Sequence, residues 1–136
     1  MVGGMGRRKR VVTVFIDTHV VVWLYANIQG MLSAEALSLI DEADVLISPM
    51  TVLELEYLLE IGKIKTPSRR ILDFLGGAIG LAIADDGFPA IVDRALRETW
   101  TRDPFDRIIV AHARLRKAPL VTRDSLILKH YAASLF

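Results

Sequence analysis

The sequence contains no cysteine, which excludes a disulfide framework, a cysteine-based zinc site and a thiol nucleophile. It has no run of about 18 uninterrupted apolar residues, so no segment reads as a membrane-spanning helix. Arg7-Arg8-Lys9-Arg10 leads into the apolar Val11–Ile16 and imitates a secretory signal. Asp17 and His19 break that stretch before it reaches the ~7–15 residues a signal needs, and the cytoplasm is the expected compartment. An excess of charge of one sign is also missing. Lys and Arg number 17 against 16 Asp and Glu, a formal net charge of +1, and the total suggests no nucleic-acid partner. The balance is uneven, because without the four cations at 7–10 the remainder is 13 against 16, or −3.

Several catalytic signatures are absent as well. His19, His112 and His130 show no close pair spacing, and neither HExxH nor CxxC occurs. Ser48 and Ser125 lack the glycine-flanked elbow of a serine hydrolase. The glycines at 76, 77 and 80 precede an apolar run instead of following one, and Gly62-Lys63 lacks the upstream glycine of a phosphate loop. There is no internal repeat and no low-complexity segment.

What remains is a chain of 136 residues, 52% hydrophobic, with a mean hydropathy of +0.38. That length suits one domain, with residues 1–10 as a basic flexible tail containing an alternative start at Met5 and residues 11–136 as the folded body. The high hydropathy suits strands buried on both faces together with an oligomer interface. Short β-branched or apolar runs at 11–16, 45–47, 80–84 and 120–122 read as strands, with an edge strand at 134–136. Between them lie helices over 20–26, 34–42, 49–61, 67–74, 90–97 and 104–117, and a last helix or loop follows Ser125. Ser33 and the pairs Ser48-Pro49 and Asp103-Pro104 are helix starts, Gly62 is a helix end, and Gly76-Gly77 is expected to close the helix before it. Strands alternating with helices predict a mainly parallel sheet covered on both faces.

In such sheets ligands bind beyond the carboxyl ends of the strands. Asp17 ends the first strand, Asp85 and Asp86 follow the third, and Asp124 follows the fourth. Glu54 lies in the helix after the second strand, and Asp106 lies in the first turn after Asp103-Pro104. Each acid has an ordinary structural alternative. Asp17 and Asp124 suit N-caps, Asp103 suits a cap more than a ligand, and Asp106 falls where the helix dipole favours any acid. Glu54 stands out because its helix neighbours are Met50, Thr51, Tyr57, Leu58 and Ile61, a mostly apolar face where an unpaired carboxylate is costly. Glu56, beside Val52, Glu60 and Lys63, reads as a solvated side. Gathered carboxylates repel and raise one another's pKa, and the usual compensation is a hard divalent cation such as Mg²⁺, suited to phosphoryl transfer. His19 reads as packing more readily than as a substrate contact.

Four blocks carry a resemblance. They are Phe15-Ile16-Asp17-Thr18; Ile47-Ser48 with Thr51 and Glu54-Leu55; Arg102-Asp103-Pro104-Phe105-Asp106-Arg107 with Ala111 and Ala113; and Leu120-Val121-Thr122-Arg123-Asp124. In order and spacing the chain resembles PIN domains from about Val12 to Tyr131, and more narrowly the toxin ribonucleases of VapBC toxin–antitoxin pairs. The two later blocks are the specific ones. The resemblance implies a three-layer α/β/α fold with a mainly parallel, roughly five-stranded sheet. It implies metal-binding acids at Asp17, Glu54, Asp106 and Asp124, with Asp103, Thr122 and Thr18 in support. It also implies Mg²⁺- or Mn²⁺-dependent cleavage of RNA by in-line attack of a metal-activated water, leaving 5′-phosphate and 3′-hydroxyl ends. Arg102, Arg107 and Arg123 adjoin these acids and could grip substrate phosphates or serve as counter-ions; Arg114, Arg116 and Lys117 suit a solvated helix end. The expected partners are an RNA such as tRNA or rRNA, a cognate antitoxin and a second copy of the chain. Surface for the two proteins is offered by Val20–Tyr25, with Trp23, and by the 53–59 helix. His112 stands where the family often has Gln or Thr. Two other readings stay open: a non-catalytic PIN-type module that binds nucleic acid or protein, and a receiver-like phosphoacceptor using Asp85 or Asp86. The second lacks the Lys expected after Leu120-Val121-Thr122.

Overall fold

Side chains alternate across the first strand, and both sets are apolar. Strand β1 (Thr13–Ile16) sends Val14 and Ile16 to one face and Phe15 to the other, all fully buried. The computed structural model describes residues 12–28 and 30–136. The basic tail expected over 1–10, and Val11 at the start of the first strand, lie outside the described residues. Strands β2 (Asp44–Ile47), β3 (Ala82–Ile83), β4 (Leu120–Val121) and β5 (Ser134–Leu135) complete a five-stranded sheet of order β3-β2-β1-β4-β5. Every pairing is parallel, with Phe15 opposite both Leu46 and Leu120.

Parallel strands need crossovers, and the helices supply them: α1 (Thr18–Tyr25), α2 (Ala34–Glu42), α3 (Pro49–Glu60), α4 (Ser68–Ile79), α5 (Phe88–Ala95), α6 (Pro104–Leu115) and α7 (Ser125–His130). Val14, Ile16, Val45, Ile47 and Val121 pack with Val20 and Val21 of α1, Ile40 of α2, Leu55 of α3 and Leu75 of α4. On the opposite face Phe15 and Leu120 pack with Ile109 and Ala113 of α6 and Ile127 of α7, while α5 lies on α6 through Ile91 and Ile108. The three-layer α/β/α expectation holds. Strand order reverses at β1, which leaves a crevice between the carboxyl ends of β1 and β4.

Three departures have local causes. Helix α4 runs through Gly76 and Gly77 and ends at Gly80, whose φ of 73° is the left-handed cap the glycine pair was expected to provide. The third strand consequently shrinks from 80–84 to Ala82–Ile83. Arg114 and Arg116 do not form a purely solvated helix end: Arg114 Nε donates to Glu98 at 2.8 Å and Arg116 to Asp86 at 3.3 Å.

Glu56 also has a task the sequence did not announce. Helix α4 begins at Pro67, which gives no side-chain cap, and Glu56 Oε1 on α3 accepts from the Ser68 backbone N–H at 3.0 Å and from its hydroxyl at 2.6 Å. The Ser68 hydroxyl, then the backbone N–H, hold the Glu56 carboxyl below its ordinary 4.5. A depressed carboxylate stabilises the fold above its unfolded pKa and loses that contribution as pH falls through the folded value. Glu56→Ala is expected to lower the melting temperature at pH 7 by about 3–6 °C, the size of a lost helix cap. The difference should shrink as pH falls through the depressed folded pKa and the carboxylate takes up its proton; a difference that stays constant as the solution is acidified in thermal melts would rule the cap out.

Candidate active site

Three turns from strand or loop to helix, and helix α3, deliver acids to the crevice. Asp17 follows β1 and N-caps α1, its Oδ1 accepting from the Val20 N–H at 3.1 Å. Asp124 follows β4 by two residues and caps α7 through the N–H groups of Leu126 and Ile127 at 2.9 and 3.1 Å. Asp103 caps α6 through the N–H groups of Phe105 and Asp106. Capping engages one lone pair of one carboxylate oxygen, so a cap retains acceptor capacity that a ligand role would use. Asp106 sits in the first turn of α6, and Glu54 comes from α3.

These residues line one pocket of about 380 Å³: Asp17, Thr18, Glu54, Asp103, Asp106, Arg123 and Asp124, together with His19, Trp23, Met31 and Ile109. Asp17 is buried, Glu54 and Asp106 are half-buried, and Asp103 and Asp124 are exposed at the rim. Two threonines orient the acids. The fully buried Thr122 hydroxyl donates to Asp17 Oδ2 and accepts from the Asp124 N–H at 3.0 Å. Thr18 Oγ1 donates to Glu54 Oε1 at 2.5 Å, and the Thr51 hydroxyl lies 3.4 Å from it.

Ion pairing does not offset the negative charge of these acids. None of the ion pairs among the described residues involves Asp17, Glu54, Asp106 or Asp124. Burial, followed by the neighbouring Asp103, Asp124, Glu54 and Asp17, pushes the Asp106 carboxyl from 3.8 up to about 7. Burial likewise raises Asp17 and Glu54, partly offset by their threonine hydrogen bonds. An all-oxygen donor set with this unmet charge fits a hard divalent cation in its chemistry. Its geometry is open, for among the described residues no group of three or more acids or histidines is gathered tightly enough to hold a metal as it stands.

Other expected residues fall elsewhere. Arg107 does not face the pocket; its Nη2 donates to the Ala95 carbonyl at 3.0 Å, closing the end of α5. Arg102 is exposed and is not part of the pocket wall. Arg123 does line it, with Nη1 on the Met31 carbonyl at 3.1 Å and its guanidinium 4.6 Å from the centre of the Phe136 ring. Asp85 and Asp86 are not part of the wall, and Asp86 accepts instead from the buried His112 Nε2 at 2.7 Å, so the phosphoacceptor reading loses its acidic centre. Trp23 as pocket wall is what the sequence reading missed, and His19, read as packing ahead of a substrate contact, lines the pocket with it. Their spacing of four residues on α1, beginning two after Asp17, was the available signal.

A parallel α/β sheet whose carboxyl edge presents clustered acids at its reversal point defines the class of protein. The chain belongs to the PIN-domain family, whose sequence model matches residues 14–133. Its fold is similar to that of VapBC2 from Rickettsia felis bound to a DNA fragment from their promoter, with a TM-score of 0.65 and 18% identity, covering 91% of this chain and 96% of that one. It is similar too to a toxin–antitoxin complex from Klebsiella pneumoniae, with a TM-score of 0.60 and 19% identity over 90% and 96% of the two chains. VapBC-1 from nontypeable Haemophilus influenzae gives 0.63 and 15% over 91% and 96%. No curated protein sequence matches the chain. Among the described residues no helix is long and apolar enough to cross a membrane.

Proposed function

We propose that the protein is the toxin endoribonuclease of a toxin–antitoxin pair, acting in the cytoplasm on RNA phosphodiester bonds with Mg²⁺ or Mn²⁺. One observation carries the reading: Asp17, Glu54, Asp106 and Asp124, from four separate elements, line a single crevice, and none of them is in an ion pair among the described residues. These four carboxylates would hold the cation, with Asp103 at the rim. When bound, the cation supplies Lewis acidity, polarising the phosphodiester and making a water nucleophile available near neutral pH. Thr122 and Thr18 keep the Asp17 and Glu54 oxygens aimed, so little side-chain ordering is left to do when substrate arrives. Arg123 places a cation at the rim, where a phosphate neighbouring the cleaved bond would pass.

The protein partners follow from the apolar surface. An apolar pocket of about 300 Å³ between α1 and α3, lined by Val22, Leu58, Ile61 and Ile64 with His19 and Lys63 at its ends, suits a hydrophobic segment of the cognate antitoxin. The related structures include toxin–antitoxin complexes. Leu53 and Tyr57 on α3 and Ile61 at its C-cap repeat every four residues and are all exposed, a stripe that suits a homodimer.

The open spacing of the acids favours one other reading, a PIN module that binds nucleic acid or protein without cutting it. Incubation with RNA separates the two. Wild type with Mg²⁺ or Mn²⁺ is expected to cut RNA to 5′-phosphate products, and EDTA is expected to stop it. If tRNA, rRNA and mixed cellular RNA all survive in the presence of either metal, the enzymatic reading is wrong.

A further inference from the structure

Besides the acids, the crevice wall is formed by Trp23 and His19 of α1, by Met31 and by Arg123. This part of the wall is held in place. Trp23 is half-buried, with its inner edge packed on the core beneath α1. The His19 ring lies 6.3 Å from it, inclined by 45°. Arg123 is held by the Met31 carbonyl and the Phe136 ring.

A phosphodiester placed against the acids leaves the adjoining nucleobase to find a surface. Carboxylates offer it no π-face and no donors. The rest of the wall offers an indole, an imidazole, a thioether and a guanidinium within the same pocket of about 380 Å³. Aromatic and guanidinium planes are the surfaces on which unpaired bases stack, and they do so with little regard to base identity. We infer that this wall is a nucleobase subsite, in which Trp23 stacks one unpaired base next to the cleaved phosphate while Arg123 meets the backbone. The inference rests on the nuclease reading and narrows its substrate to RNA that presents an unstacked nucleotide. A base confined in a duplex could not reach the indole.

Binding tests the subsite apart from cleavage. The chain has two tryptophans, so Trp100→Phe leaves Trp23 as the only indole. In that background a single-stranded RNA decamer with Ca²⁺ is expected to quench Trp23 emission, and the quench should persist when Asp17→Asn is added. Trp23→Leu keeps apolar packing without a π-face and should weaken binding of the decamer roughly ten-fold or more, whereas Trp23→Phe should stay within about three-fold. Decamers with a single abasic site, moved along the strand, should reproduce the Trp23→Leu loss at one position, and there the two losses should not add. Emission unchanged at saturating RNA overturns the subsite, as does equal binding by the Leu variant and wild type. Should wild type cut no RNA, the nuclease reading falls alone, because the quench and the Leu-against-Phe contrast are read without turnover.

Discussion

Asp106→Asn is expected to raise the melting temperature of the metal-free protein by roughly 3–8 °C at pH 8. The same change should reduce metal-dependent RNA cleavage by a factor of about 10³ or more. The two effects share one cause. Asp106 is half-buried beside four other carboxylates, and burial and then their charges hold its pKa at about 7. A carboxyl whose folded pKa lies above its unfolded value binds its proton more tightly in the native state. The contribution of this group is therefore fully present below its unfolded pKa and is lost as pH climbs through about 7, where the proton leaves and the buried charge stands against its neighbours. The amide removes that charge and should flatten the decline. About 1–2 kcal/mol is a fair scale, because solvent reaches the exposed part of the group and screens the repulsion. Asp17→Asn should abolish cleavage equally but without the same gain, because Asp17 Oδ2 accepts the Thr122 hydrogen bond and an amide flipped to suit one neighbour fails the other. Thermal melts of the three proteins at pH 5 and pH 8 in EDTA decide the matter. A variant at 106 that melts no higher than wild type at pH 8 would show that the acids are not in conflict.

The carboxyl-edge acids could be read ahead of the structure because two local rules coincide there. A parallel strand ending in an acid puts that acid at the sheet edge, and an acid or serine ahead of a helix caps it. Asp17 and Asp124 obey both, and Asp103, Ser33 and Ser48 obey the second. What local rules could not reach depended on rotation about a helix or on packing from far along the chain. Arg107 is next to Asp106 in sequence, but consecutive helical residues point about 100° apart, and that turn carries the guanidinium to the end of α5. Gly76 and Gly77 resemble a helix end, since each costs about 1 kcal/mol inside a helix. The burial of Ile71 and Leu75 in the same helix offsets that cost. Glu56 became a cap for α4 because the tertiary fold brings Ser68 to it from twelve residues away. The wall of Trp23, Met31 and Arg123 joins a helix, a loop and the turn after β4, and no spacing in the sequence relates the three.

Thr122→Val should cost more stability than any change at the acids themselves. The valine keeps the branched shape in a fully buried position, so packing is preserved and only the hydroxyl is lost. That hydroxyl has two tasks, donating to Asp17 Oδ2 and accepting the Asp124 N–H at 3.0 Å. Removing it leaves a buried carboxylate oxygen without its donor and a backbone N–H without its acceptor. At ~1–3 kcal/mol for each, the melting temperature should fall by roughly 6–15 °C. The hydroxyl also opposes the burial that raises the Asp17 pKa. Without it Asp17 holds its proton to higher pH, and residual cleavage, down by about 10² or more, should need more alkaline conditions for its half-maximal rate. Thr122→Ser restores the hydroxyl and should return most of the activity and the original pH profile, though the lost methyl keeps it somewhat less stable. A purely structural role would lower the melting temperature and leave the profile of the surviving activity in place. Finding that profile unmoved in the valine variant, measured well below its melting temperature, would separate Thr122 from the chemistry of Asp17.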